Sequence, residues 1–94
     1  MEKIIQYTLK GSLCQTVIMP SDSQIIDIQI NNLGVLTMWA ICDTSTEEIE
    51  VKINKYATGY VFEDNNVKDV YIATVIATVQ ENRIAWHFFM NHEI

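Results

Sequence analysis

Near the end of the chain the run RIAWHFF, residues 83–89, sets His87 between Trp86 and two phenylalanines. An imidazole is the side chain best suited to move a proton or meet an anion near neutral pH, so its neighbours decide what it can do. To serve as the base of a nucleophile it needs a Ser, Cys or Thr and an acid to orient it, and the chain has no Gly-x-Ser-x-Gly or comparable elbow. To ligate a metal it needs partners at ligand spacing, and neither His87 nor His92 has a Cys or Asp so placed. On a strand, His87 shares a face with Arg83, Ala85 and Phe89, while Ile84, Trp86, Phe88 and Met90 make the opposite, core-facing side. His92 then falls on the parity of Phe88 and does not pair with His87. His87 reads first as structural, next as a contact to a ligand or partner, and last as catalytic.

The run NKYATGYVF, residues 54–62, is the best candidate for a binding site. Read as a surface loop, it offers a charge at Lys55, stacking planes at Tyr56 and Tyr60, a hydroxyl at Thr58, and at Gly59 a backbone that a ligand can approach closely. With Arg83 and His87 on one face of the final strand, these residues suit a nucleotide or another phosphorylated small molecule. The spaced glycines and Lys-Ser/Thr of a phosphate loop are missing, and a tight turn with its tyrosines packed back onto a sheet is the competing reading. The candidate binding set is thus Lys55, Tyr56, Thr58, Gly59, Tyr60, Arg83 and His87, with no catalytic set, metal set or cofactor indicated. Trp39 and Trp86 read as core or interface packing rather than stacking platforms. Glu48 and Glu50, flanked by Lys52, read as a solvated edge.

The elements that must position these residues are strands, because apolar residues recur with period two nearly everywhere. In QIIDIQIN, Ile26, Ile28 and Ile30 are expected on one face and Asp27, Gln29 and Asn31 on the other; in EEIEVKIN, Ile49, Val51 and Ile53 oppose Glu48, Glu50, Lys52 and Asn54. The runs 3–9, 14–19, 34–43, 70–79 and 83–90 carry apolar residues on both faces, which predicts central strands or strands covered by something else. In the echo IATVIATV, Ile72, Thr74, Ile76 and Thr78 are expected on one side. Tight hairpins are expected at NNLG (31–34) and at QENR (80–83), where Asn82 would take the positive φ; turns or loops are expected at residues 19–23, 43–47 and 56–69. Seven strands and no helical period predict an all-β fold, a small antiparallel sandwich or open barrel, as a single domain over residues 1–94.

The totals narrow the function classes. A chain of 94 residues supports one modest core, and 49% hydrophobic residues with three Gly and one Pro mark an ordered globular chain. Cys14 and Cys42 sit in apolar runs without Cys-x-x-Cys spacing and are expected as buried free thiols, a bridge between them being the lesser alternative. Twelve carboxylates against six cations, a formal charge of −6, argue against a nucleic-acid partner, and the acids are too scattered for a DNA mimic. No apolar run approaches the ~20 residues of a membrane span, and the start lacks the continuous apolar segment of a signal peptide. No membrane partner is expected, and the expected location is the cytoplasm.

Taken in order, KIIQYTL, MPSDSQIIDIQ, LTMWAICD, YATG, YIATV and WHFF resemble a family of small tailed-bacteriophage and prophage proteins without an established activity. The likeness runs from Ile4 to Phe89. The family's turn is commonly Tyr-x-Thr-Gly-His, and here Tyr60 stands in the last place. The resemblance implies a phage origin more than a mechanism; for a small, acidic phage protein without catalytic groups, the expectation is an accessory protein that works by binding in the cytoplasm of an infected bacterial host, and not an enzyme. The leading expectation is a host-interaction or counter-defence role, blocking a host protein or sequestering a nucleotide-like immune signal; the alternative is a structural or assembly accessory of the phage particle. Apolar residues on both strand faces add the expectation of a homodimer or higher homo-oligomer.

Overall fold

The computed structural model describes residues 1–62 and 69–91; the distal part of the expected 56–69 loop, the acid-bearing run after Phe62, and His92 lie outside them. The described residues form seven antiparallel strands: β1 (Glu2–Leu9), β2 (Cys14–Pro20), β3 (Ser23–Ile30), β4 (Leu36–Asp43), β5 (Glu48–Ala57), β6 (Val70–Val79) and β7 (Asn82–Asn91). They make a three-stranded sheet in the order β1-β4-β3 and a four-stranded sheet in the order β2-β5-β7-β6. The fold is an all-β sandwich, not a closed barrel.

The period-two patterning explains the core between the sheets. β4 alternates strictly, with Leu36, Met38, Ala40 and Cys42 buried, and these face Met19, Val51, Ile53, Val75 and Phe88 from the other sheet. Burial of such side chains is the main stabilising contribution, about 1.5–3 kcal/mol each. Tyr7 packs against this core with its hydroxyl 3.8 Å from Cys42 Sγ. Burial, and then the Cys42 thiol, pushes its phenol up to about 12.

Two bulges change which isoleucines face inward. β3 pairs Ile25 with Ala40 and Asp27 with Trp39, so Ile26 is the extra residue. Ile26 is therefore exposed, and Ile25 packs on the core beside Ile28 and Ile30, against the expectation that Ile26 shares their face. β6 pairs Tyr71 with Phe89 and Ala73 with Phe88, which leaves Ile72 unpaired and packed on the core, whereas Thr74 and Ile76 stay on the outer face. One inserted residue shifts a strand's parity by one.

Other expectations are corrected by position. Of the strands with apolar residues on both faces, only β4 and β7 are central; β1, β2 and β6 are edges, and their Ile4, Ile18 and Ile76 are exposed in the single chain. Cys42 is buried but Cys14 is exposed, because it pairs with Asn54 on the outer face at the free end of an edge strand; both thiols are free. The β6–β7 turn takes its positive φ at Gln80 (49°) and Glu81 (68°), not at Asn82, which pairs with Val79. A two-residue loop whose central residues both have φ > 0 follows the right-handed twist of its strands. The 31–34 turn holds as expected: Gly34 has φ 80°, and Asn31 Oδ1 accepts the amides of Leu33 and Val35.

Candidate functional site

Pairing with β7 carries β5 three residues past Asn54, so Lys55 and Tyr56 lie on a strand and not in a loop: Lys55 opposes Phe88, Tyr56 opposes His87 and Ala57 opposes Trp86. Successive strand residues face opposite ways, which separates Lys55 from Tyr56. Lys55 takes the parity of Ile53 and Val51 and reaches Trp86, its Nζ 4.2 Å from the ring centroid. Desolvation lowers the Lys55 ammonium below the usual lysine value. The ion pair found among the described residues joins the Met1 amine to Asp43 and leaves Lys55 without a carboxylate.

Tyr56 takes the outer face, where its ring packs against Tyr60 at 4.8 Å, Phe62 at 4.8 Å and Phe89 at 5.6 Å. Tyr71 joins through Phe89 at 5.7 Å. The tilted and edge-on geometries are those that aromatic quadrupoles favour. The cluster is partly open to solvent, with Tyr60 56%, Tyr71 54% and Phe62 39% exposed. The Tyr56 hydroxyl donates to Asp69 Oδ2 at 3.3 Å, an atom that also accepts from the Asn54 amide at 3.3 Å. Desolvation first, then the Asp69 charge, raises the Tyr56 phenol.

His87 lies on the same outer face, but both its ring nitrogens are engaged. Thr58 Oγ1 stands 2.8 Å from Nε2 and Thr74 Oγ1 stands 3.0 Å from Nδ1. Tyr71 extends the chain, its hydroxyl 2.8 Å from Thr74 Oγ1. The imidazole thus bridges the turn after β5 to β6 across β7, and a ligand could bond it only by displacing a threonine. Gly59, with φ 95°, makes the turn that brings Thr58 there. Arg83 pairs with Thr78 at the far, hairpin end of β7, away from Lys55.

A pocket of about 460 Å³ opens where β5 runs beyond the start of β2, within the range of small-molecule sites. It is lined by Leu13, Cys14, Asn54, Lys55, Tyr56, Ala57, Tyr60 and Trp86. The structure therefore gathers Lys55, Tyr56 and Tyr60 at one cavity and leaves Thr58, Gly59, Arg83 and His87 outside its lining. Leu13, Cys14 and Trp86 are lining residues that sequence reasoning passed over. Trp86 was legible only as core, and nothing in residues 13–14 signals that β2 starts beside the end of β5. Chemically the pocket is an apolar, aromatic recess with one desolvated ammonium, suited to a flat ligand bearing negative charge.

No curated protein and no solved structure matches the chain. A family described as a Domain of unknown function (DUF7352) matches residues 1–93. The protein accordingly belongs to the DUF7352 family.

Proposed function

We propose that this chain is a small accessory binding protein whose pocket holds a planar, anionic, nucleotide-like molecule. The observation that carries this reading is the Lys55 ammonium over the Trp86 ring, desolvated and without a carboxylate among the described residues, at the wall of an otherwise apolar cavity. An ammonium so placed gains from an incoming anion what its surroundings withhold, and Trp86, Tyr56 and Tyr60 offer stacking surface to a base. The resemblance to phage proteins supports a counter-defence setting in an infected bacterial cytoplasm, where binding alone would sequester an immune signal. Calorimetric titration with nucleotides and cyclic dinucleotides tests it. Binding by the wild-type chain that falls at least tenfold in Lys55→Met supports the reading; no heat from any ligand with folded protein removes it.

The exposed aromatic cluster on the outer sheet face favours a second reading, the blocking of a host protein. Aromatic side chains at a half-open surface are the usual anchors of protein interfaces. In that case Tyr60→Ala abolishes capture of the partner and Lys55→Met leaves it intact. A structural role in the phage particle would use the same face, and would appear as co-sedimentation with particles.

A further inference from the structure

The four sheet edges differ in how they are protected, and among the described residues β2 is guarded least, by a proline at its last position only. An unpaired edge is a template for another strand unless charge, proline, a bulge or a covering element blunts it. On β3 the bulge at Ile26 interrupts the edge, and Asp27 Oδ1 accepts the amide of Ile28 at 2.8 Å. β6 carries the second bulge and is contacted by β3 of the other sheet. β1 is bracketed by Glu2 and Lys3 at its start and Lys10 just beyond its end. β2 carries no bulge, and no charged residue occurs from Gly11 to Ser21.

The backbone of that edge can be read residue by residue. Lys55 N–H donates to Leu13 O at 2.9 Å and Ser21 N–H donates to Glu47 O at 2.7 Å. Hydrogen-bonded pairs alternate along an antiparallel ladder, so Gln15, Val17 and Met19 also turn their amides toward β5. Cys14, Thr16 and Ile18 must then point both N–H and C=O away from the sheet, with Pro20 adding a carbonyl but no N–H. In an antiparallel pair of β2 strands centred on Thr16, Cys14 of each copy opposes Ile18 of the other and Thr16 opposes Thr16. Every outward amide is then used without calling on Pro20. Shifting the register one way sets Pro20, which has no N–H to donate, against the Cys14 carbonyl, and shifting it the other way runs the pairing off the strand at Ser12.

We infer that the chain forms a two-fold homodimer through β2, its two four-stranded sheets joining into one sheet of eight with Thr16 on the axis. A second copy is the occupant because this one segment is complementary to itself, as a closed two-fold contact requires. The dimer covers Ile18, 49% exposed in the single chain, and sets Ile18 of the second copy beside Cys14 at the rim of the pocket. The pocket is then completed by the partner chain.

Sedimentation equilibrium of the full chain should return twice the 10.8 kDa of one copy. Thr16→Lys, which sets two ammonium groups against each other on the axis, should return one copy with an unchanged β-sheet circular dichroism spectrum. Independently of that variant's folding, Cys14→Ser/Thr16→Cys should cross-link to a disulfide dimer on mild oxidation, since paired strand positions lie within disulfide reach, and Cys14→Ser/Ile18→Cys should not. A wild-type chain that is monomeric at tens of micromolar overturns the inference. So does a dimer in which Thr16→Cys fails to cross-link, or one that cross-links through Ile4→Cys on β1 instead.

Discussion

His87 and Phe88 are adjacent in sequence and opposite in role. Phe88 is 1% exposed at the centre of the core, while His87 ties three chain segments together on the outer face. Phe88→Ala should cost about 3–5 kcal/mol in urea unfolding, through lost burial and the cavity left behind. His87→Ala removes two side-chain hydrogen bonds near solvent and should cost about 1–2 kcal/mol. A larger loss at His87 than at Phe88 would mean that the two faces of β7 are exchanged. Tyr7 offers a pH test at the same scale. The folded state holds its phenolic proton up to about pH 12, whereas an unfolded tyrosine releases it near 10. That contribution is complete below about pH 10 and is lost as pH rises from there toward 12. Tyr7→Phe should therefore lose less stability than wild type across that interval in thermal melts recorded at stepped pH.

At the scale of the strands, the bulges make the sharpest predictions. Ile28→Ala should destabilise by about 2–5 kcal/mol, because Ile28 is buried against Met38. Ile26→Thr should stay within about 0.5 kcal/mol, because the bulge has turned that side chain to solvent. Equal losses in chemical denaturation at both sites would place Ile26 on the core face after all. Simple alternation in QIIDIQIN could not reveal this, since Ile25 and Ile26 are both apolar and either parity satisfies the pattern. The seven strands themselves were legible, because period two and β-branched composition are local properties. Edge or central position was not, because it depends on which distant strand comes alongside: β4 lies between β1 and β3, and β5 between β2 and β7. The candidate site divides in the same way. Lys55, Tyr56 and Tyr60 stood out by residue type, whereas Leu13 and Cys14 reach the pocket only through the β2–β5 pairing, and Thr58 and Arg83 were drawn away by hydrogen bonding and strand length.

The whole molecule measures 44 × 35 × 16 Å, a flat sandwich with broad outer surfaces relative to its core. Ile4 and Ile26 on one side and Ile18, Ile76 and Tyr71 on the other remain exposed in a chain of −6 charge. Charge keeps such a surface from collapsing indiscriminately while leaving apolar patches available to a specific partner. Among the described residues no helix is long and apolar enough to cross a membrane.

The turn at Gln80–Glu81 also bears on how fast the chain can reach this arrangement. Two of its strand pairings, β3 with β4 and β6 with β7, join neighbours in sequence; the others bridge long separations, as Glu2 with Asp43. Closing long loops before any contact rewards them makes such topologies slow to fold, which gives the two hairpins the first opportunity to form. Gln80 and Glu81 hold left-handed backbone conformations that side-chain-bearing residues adopt reluctantly. Replacing the pair by Asn-Gly should raise the refolding rate several-fold in stopped-flow experiments and leave the unfolding rate nearly unchanged, if the β6–β7 hairpin is already formed at the barrier.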